Sequence, residues 1–403
     1  MKKLLLMCAV FLVFASCSTN RKVSGTMFKD DVAFLQNHTD VVILRSDNSK
    51  AQLAVIPGMQ GRVMTSTATG PEGLSFGWIN RKLIASGENN KHINAFGGED
   101  RFWLGPEGGQ FSIFFKKGDP FDLEHWWTPE PINEGAYDVA EQSEQHILFN
   151  KKMQLQNYSG TMFNLKLDRE IRLLTETQTA SAFDFQFDNV DMVAFESENT
   201  ITNIGTDAWE KETGLLSIWI LGMYNPSPAT TIVIPFKAGP VDELGPKVND
   251  AYFGKVPEDR LVLKDDVLFF SGDGQYRSKI GMSPYRAKDV LGSYDATHMV
   301  LTLVSFNKPE DVYDYVNSMW EIQEEPYGGD VVNSYNDGPP EPGAEPLGPF
   351  YELETSSPAA DLAPNESLKH IHTTVHVQGD ESTLSAISEG ILGVGLEEIK
   401  AAF

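Results

Sequence analysis

The sequence predicts an all-β fold, an antiparallel sandwich of large sheets with a few peripheral helices. The first observation is period-two alternation: Phe163, Leu165, Leu167, Ile171 and Leu173 alternate with polar residues, as in a strand with one solvated face. The second is that similar segments recur between clusters of Gly, Asn and Asp, which favours many antiparallel strands. The third is the lack of a repeat of fixed period, which disfavours a propeller or a solenoid.

The N-terminus predicts export. Lys2 and Lys3 precede a short apolar run that cannot span a bilayer and is typical of a signal peptide. Small residues before Cys17 resemble the bacterial lipobox, in which the cysteine becomes the lipidated first residue. We expect a signal peptide at 1–16, a polar tether at 17–27 and an outer-membrane lipoprotein of the cell envelope that meets the membrane through its lipid anchor only. The alternative is an ordinary secretory signal with an incidental Cys17.

The net charge and the cysteine count exclude several kinds of partner and chemistry. The chain has 32 Lys and Arg against 57 Asp and Glu, a net charge of −25, which excludes a nucleic-acid binder because phosphates require clustered cations. Without residues 1–16, Cys17 is the one remaining cysteine, so neither a disulfide nor a catalytic thiol is expected. The sequence has no glycine-rich phosphate loop and no His-Glu-x-x-His motif, and we expect no cofactor.

The remaining elements belong to one predicted domain, 28–403. Alternating phenylalanines at 183–187 predict a strand after a turn-like stretch at 176–179. A helix is expected to begin at Asn307, a good N-cap with Pro309 in the first turn. The Pro- and Gly-rich segment 326–349 is interpreted as an irregular loop that frames a cleft, with an interdomain linker as the alternative. A helical segment at 382–402 closes the chain.

The densest polar and aromatic cluster lies between the glycine pairs at 97–98 and 108–109. If this segment is extended, Glu99, Arg101 and Trp103 project from one face, and Glu107 follows. An aromatic platform beside planar charged groups is typical of a sugar site, because the ring covers the apolar C–H face while the charged groups bind hydroxyls. The alternative is a structural Arg–Glu pair beside a core tryptophan.

Two further segments offer candidate residues. In His125-Trp126-Trp127, strand alternation allows at most one sugar platform, for which Trp126 is the candidate. His125 is either a general acid or an ordinary hydrogen-bonded histidine. Arg62 closes a glycine turn and either reaches the same cleft or is a solvated turn residue.

Three histidines of equal parity, His370, His372 and His376, suggest one face of a strand. A metal site is disfavoured, because residues two apart on a strand stand about 7 Å from each other and do not readily converge on one ion. We therefore expect no metal and place the three histidines on the polar face of a sheet.

Several segments resemble the galactose mutarotase-like (aldose 1-epimerase superfamily) domains. The stretch 350–367 resembles the C-terminal part of these domains, 53–63 their opening strand and glycine turn, and 202–207 their mid-chain hairpin. The resemblance implies a β-supersandwich in which Glu354 takes the position of the catalytic base. The family's acid histidine has no counterpart at 217–225, so the acid role would fall to Tyr224 or His125.

The leading hypothesis is a carbohydrate-binding lipoprotein. In its catalytic version, the protein is an epimerase-like or other carbohydrate-active enzyme that acts through Glu354. The alternative is a non-catalytic scaffold or glycan-binding component of an uptake assembly. A hydrolase or lyase would instead require a second carboxylate, Glu99 or Glu107, opposite Glu354 at about 5–9.5 Å. The convergence of Glu354, His125 and Arg101 is the feature that separates a catalytic cleft from a platform.

Overall fold

The structure is a computed structural model that describes residues 25–341 and 343–403. The predicted signal peptide 1–16 and Cys17 lie outside these residues, as does most of the predicted tether 17–27. The helices within the described ranges are α1 (Phe28–Gln36), α2 (Arg81–Ser86), α3 (Glu130–Asn133), α4 (Glu176–Phe183), α5 (Val241–Leu244), α6 (Glu381–Leu392) and α7 (Leu396–Lys400). None of them is long and apolar enough to cross a membrane.

The strands dominate the described residues, as the alternation predicts. They are β1 (Val42–Arg45), β2 (Gln52–Ile56), β3 (Arg62–Thr67), β4 (Arg101–Gly105), β5 (Asp138–Gln142), β6 (His146–Gln156), β7 (Met162–Leu173), β8 (Asp191–Asn203), β9 (Ser217–Tyr224), β10 (Thr230–Pro235), β11 (Leu261–Leu263), β12 (Val267–Ser271), β13 (Ser278–Met282), β14 (Val290–Asp295), β15 (Val300–Phe306), β16 (Val332–Asn336), β17 (Tyr351–Ser356) and β18 (Ser367–Gln378). A turn of 3₁₀ helix, Pro57–Met59, joins β2 to β3.

Three antiparallel sheets result. The largest has ten strands in the order β11-β12-β10-β14-β15-β18-β8-β7-β6-β5, the second has five in the order β13-β16-β17-β9-β4, and β1-β2-β3 form the third. On β7 the predicted apolar positions are buried and the intervening positions are partly exposed. The predicted all-β fold of large antiparallel sheets is therefore confirmed.

The five-stranded sheet lies against the ten-stranded sheet. The Thr355 hydroxyl on β17 lies 2.8 Å from His370 Nε2 and 2.9 Å from His372 Nδ1 on β18, and the Tyr351 hydroxyl lies 2.8 Å from that of Ser293 on β14. Because side chains alternate along a strand, the even-numbered residues of β17 point to the opposite face. That outer face of the five-stranded sheet carries the site.

The helix expected from Asn307 does not form. The Asn307 side chain binds β18 instead: its amide group donates to the Lys369 carbonyl at 3.3 Å, and its oxygen accepts from the Ile371 amide at 2.7 Å. Asp311 then takes a left-handed φ of 55°, which a continuing helix does not allow. The cap residue is thus used to hold the chain against the sheet.

Two other local predictions are wrong. The phenylalanine alternation at 183–187 does not form a strand, because Thr175 and Gln178 form a capping box that starts α4. The segment 326–349 is not wholly irregular, since it contains β16, which pairs with β13 and β17. Helices α6 and α7 occupy the predicted C-terminal segment.

Candidate functional site: an aromatic pocket on the five-stranded sheet

A cavity of about 280 Å³ lies on the outer face of the five-stranded sheet, and we call it the sheet pocket. Alternate residues of β4, β9, β13, β16 and β17 supply its floor and loops supply its walls. Its lining from the strands is Arg101, Trp103, Trp219, Leu221, Met223, Lys279, Tyr335 and Glu352. The loop between β16 and β17 also contributes, through Asp337, Gly338, Pro340, Glu345 and Leu347, so part of segment 326–349 does frame a cleft.

Glu354 does not line the pocket itself but lies directly behind two lining side chains, which donate to it. The Trp219 indole N–H and the Lys279 ammonium group each donate to its Oε2 at 2.9 Å. The side chain is fully buried, and its Oε1 has no hydrogen-bond partner among the described residues. Burial lowers the pKa of Lys279, but the negative charges of Glu354, Glu107 and Glu352 outweigh it and raise that pKa overall. An oriented carboxylate therefore lies directly behind the pocket lining, next to the carboxyl group of Glu352.

A second carboxyl group, Glu352, lies two residues away on the same face of β17. Arg101 donates to its Oε1 at 3.1 Å, and the Arg101 guanidinium lies 4.2 Å from the centre of the Trp103 ring. Burial, with the nearby charge of Glu354 adding to it and Arg101 opposing it, raises the pKa of Glu352 to about 8. Glu352 is thus a proton donor at neutral pH, beside an ionised guanidinium.

Glu107 completes the group of carboxyl side chains at the pocket. It lies on the loop that leaves β4 and lines both the sheet pocket and a small cavity beneath it. Burial raises the pKa of Glu107, and the positive charge of Lys279 opposes part of that rise. The three carboxyl groups therefore share two cations, Lys279 and Arg101.

Aromatic rings form much of the wall. Four of the seven tryptophans line the pocket, namely Trp103, Trp126, Trp219 and Trp320. Trp103 meets Trp219 edge-on at 5.5 Å between ring centres, and Trp126 stacks on Trp320 at 6.1 Å. The rings are packed on one another, so the indole surfaces are fixed in place before any ligand binds.

The structure brings most of the predicted site residues together. Arg101, Trp103, Glu107 and Trp126 line the sheet pocket, and Glu354 contacts two of its lining side chains. These residues come from strands and loops that are far apart in sequence. Of Glu354, His125 and Arg101, whose convergence would separate a catalytic cleft from a platform, Arg101 and Glu354 both interact with Glu352, whereas His125 contacts Asp122 instead.

Glu99 does not share a face with Arg101. Gly97 and Gly98 take φ values of 97° and 108°, and regular pairing begins only at Arg101, so the extended segment assumed from sequence starts too late to include Glu99. Its Oε2 accepts from the Ser66 hydroxyl at 2.8 Å and lies 2.9 Å from His376 Nε2, inside the sandwich. The expectation of a shared face is wrong for Glu99, which therefore cannot be the carboxylate opposite Glu354.

Arg62 and His125 are also absent from the pocket lining. Arg62 is buried and donates to the Gly97 carbonyl at 2.8 Å and to the Gln60 side chain at 3.0 Å, so it is neither a cleft residue nor a solvated one. His125 Nδ1 lies 2.7 Å from Asp122 at the surface, and this carboxylate raises the pKa of the histidine. Neither side chain reaches the base of the pocket.

The three histidines of β18 are buried between the sheets rather than on a polar face. His370 and His372 share Thr355, and His376 lies between Glu99 and Thr302. Burial lowers the pKa of His370 to about 3 and that of His372 to about 4, so both are neutral. Within the described residues, no group of three His, Cys, Asp or Glu side chains is arranged to hold a metal ion.

Sequence reasoning missed Lys279, Glu352, Trp219 and Trp320. Two of them carried a local signal: Lys279 directly precedes the apolar Ile280, and Glu352 has the same parity as Glu354 in Tyr-Glu-Leu-Glu. A charged residue at a buried strand position predicts a partner of opposite charge. Trp219 and Trp320 had no such signal, because a buried tryptophan is ordinary.

Comparison with known proteins now adds a family and a fold. A model described as a family of unknown function, DUF6786, matches residues 26–403. The chain belongs to this family. Among proteins of curated function, no match is found.

Solved structures show the fold of this DUF6786 protein. Slr1438 from Synechocystis sp. PCC 6803 aligns with a TM-score of 0.50 at 13% identity, over 85% of this chain and 96% of that one. A candidate aldose 1-epimerase from Escherichia coli K12 aligns with a TM-score of 0.51 at 10% identity, over 85% of this chain and 99% of that one. The galactose mutarotase-like fold expected from the sequence is confirmed. At these identities the likeness concerns the fold alone.

Proposed function

We propose that the protein binds a sugar in the sheet pocket and catalyses proton transfer at its anomeric centre through Glu354. The observation that carries the proposal is the convergence of Glu354, Lys279, Glu352 and Arg101 beneath four tryptophans. The cavity of about 280 Å³ is at the small end of ligand pockets, which run from about 300 to 1,000 Å³, and suits a single sugar ring.

Aromatic and charged side chains of the pocket would contact different parts of the sugar. The indole faces cover the apolar C–H surface of the sugar, while Arg101 and the carboxyl groups pair with hydroxyls. Arg101 and Lys279 already donate to the carboxyl groups of Glu352 and Glu354, so part of their hydrogen-bonding capacity is used within the protein. A neutral aldose fits this arrangement better than the acidic sugar that clustered arginines would favour.

The chemistry would use two carboxyl groups of one strand. Glu354 removes the proton of the anomeric hydroxyl, and protonated Glu352 gives its proton to the ring oxygen as the bond from that oxygen to the anomeric carbon breaks. The open-chain aldehyde then closes on either face, and both protons return to their starting groups. Glu352 would take the acid role that the resemblance assigns to a histidine, at an operating pH near its pKa.

The test is polarimetry of freshly dissolved glucose and galactose with purified protein. We expect Glu354→Gln to lower kcat/KM for mutarotation by about 10²–10⁴-fold while the sugar still raises the unfolding midpoint, because the amide keeps the shape but cannot accept the proton. Glu398→Gln, an exposed change on α7, is the matched control and should leave the rate unchanged.

Three results would count against parts of the proposal. An unchanged rate in Glu354→Gln rules out this residue as the base. Binding without turnover in the wild-type protein favours the non-catalytic, glycan-binding alternative. If no aldose shifts the unfolding midpoint, the pocket is not a sugar site.

We further propose that the protein is a cell-envelope lipoprotein anchored through Cys17. The support is the order of the N-terminal sequence, in which Lys2 and Lys3, an apolar run and small residues lead to this cysteine. We expect Cys17→Ser to move the protein from the membrane fraction to the soluble fraction and to abolish labelling with radioactive palmitate. A Cys8→Ser variant is the control, and equal labelling of both variants would contradict the assignment.

A further inference from the structure

The mouth of the sheet pocket carries exposed apolar side chains. Leu123, Phe253 and Leu347 line the pocket and are exposed by 60%, 44% and 50%. They lie on three separate loops, which precede α3, follow α5 and connect β16 to β17. Single exposed apolar residues are common on proteins, but three that converge on one opening mark a surface that is covered by a ligand.

The buried part of the pocket combines charged and apolar side chains. Glu354, Arg101, Glu352 and Lys279 are exposed by only 0%, 3%, 6% and 8%, and the lining residues Leu221 and Met223 are buried beside them. The exposed apolar side chains lie at the mouth. A ligand that satisfies both ends has a polar ring at the base and an apolar group at the mouth.

The orientation of the ligand follows from the proposed function, on which this inference rests. If Glu354 receives the proton of the anomeric hydroxyl, the anomeric carbon lies at the base of the pocket. The opposite end of the sugar ring then points to the mouth. From this geometry we infer that the ligand is an aldose with an apolar substituent, such as a short acyl ester, at the end of the ring remote from the anomeric carbon.

A second sugar ring is a poorer fit to the same mouth, because two of the polar groups there, Arg277 and Asp337, are engaged within the protein. The Arg277 guanidinium lies 3.8 Å from the centre of the Phe253 ring, and Asp337 accepts from the Tyr335 hydroxyl at 2.7 Å and from the Gly348 amide at 2.8 Å. Two of the three outermost apolar side chains are leucines, which offer neither a flat ring nor hydrogen bonds to a sugar. They match an acyl chain.

The test compares parent sugars with their esters by calorimetry of the purified full-length protein. The probes are glucose and galactose, their 4-O-hexanoyl esters, and the disaccharides maltose and lactose. We expect the ester of the sugar that binds to have about tenfold higher affinity than its parent, because burial of two methylene groups already corresponds to that factor. The disaccharides should bind no more tightly than the parent.

Variants show whether the gain comes from the mouth. Leu123→Ser and Leu347→Ser should reduce the advantage of the ester over its parent sugar to about threefold or less. Leu263→Ser, a change of a 44% exposed leucine on the edge strand β11, should leave the tenfold advantage intact.

Each contrary result has a separate meaning. Equal affinities for parent and ester overturn this inference and leave the proposed function standing. Tighter binding of a disaccharide also overturns it, in favour of a mouth that contacts a second sugar. An ester advantage that survives both leucine changes overturns it as well. If neither parents nor esters bind, the proposed function and this inference both fail.

Discussion

Two buried arginine–carboxylate pairs in this protein differ in what surrounds them. Arg169 lies inside the sandwich, fully buried, with Nη2 2.6 Å from Asp100. It also donates through Nε to the Gly61 carbonyl and through Nη1 to Asn199. Arg101 lies at the sheet pocket, 3.1 Å from Glu352, and its Nε has no hydrogen-bond partner among the described residues.

The two arginines differ in how much of their hydrogen-bonding capacity is used within the protein, and this difference separates a structural arginine from one that can bind a ligand. Arg169 uses all three of its nitrogen atoms within the protein and faces no cavity, so it joins β7, β8 and the segment before β4. Arg101 has one partner, a tryptophan face and open space. Burial and pairing alone therefore do not identify a site, whereas burial beside a cavity with unused hydrogen-bond capacity does.

The largest loss of stability is expected from a substitution that breaks the Arg169–Asp100 pair. Arg169→Met should lower the free energy of unfolding by about 3–5 kcal/mol, because it leaves the Asp100 charge buried without compensation. Arg101→Met is the matched variant and should cost less than about 2 kcal/mol, since Glu352 holds a proton at neutral pH and loses no counter-charge. Urea unfolding at pH 7 measures both.

The opposite order of these two costs would contradict the comparison. It would mean that the pocket pair stabilises the fold and that the interior pair is dispensable. Arg101 would then be a structural residue, as the alternative interpretation of its sequence segment holds.

The sequence predicts the sheets better than the site, because the sheets follow local patterns whereas the site depends on contacts between distant residues. The alternation on β7 is local and sets which side chains face inward, and it even places Arg169 at an inward position between Leu167 and Ile171. Contacts at the site join Arg101 to Glu352 and Lys279 to Glu354, pairs that are 251 and 75 residues apart. Their register depends on how distant strands pair, which no local pattern specifies.

Local patterns also fail where a tertiary contact competes with them. Asn307 has the sequence of a helix cap, but its side chain forms hydrogen bonds with the backbone of β18 instead. Glu99 has the parity of Arg101, but the glycine turn before it directs the side chain into the sandwich. Glu354 was found through its resemblance to a family motif, whereas Glu352, two residues away, had only its parity to identify it.

A smaller effect is expected on the pH dependence of stability, to which Glu352 contributes. The pKa of Glu352 is about 8 in the folded protein and about 4.3 in an unfolded chain, so the folded state keeps a proton that the unfolded state has lost between these values. This contribution to stability is complete below pH 4.3 and is lost as the pH rises to 8, with a slope of up to about 1.4 kcal/mol per pH unit. Glu352→Gln removes the titration, and its stability should fall less steeply than that of the wild type.

Urea unfolding at pH 5, 6, 7 and 8 measures the two slopes, with Glu398→Gln as a control that should run parallel to the wild type. Distant groups titrate alike in both proteins, so the difference between the curves reports the titration of Glu352 together with the carboxyl groups that interact with it. Parallel curves for the wild type and Glu352→Gln would show that this carboxyl group is ionised in the folded state. The pocket pair would then be a full ion pair like Arg169–Asp100, and Glu352 would have no proton to give to a sugar at neutral pH.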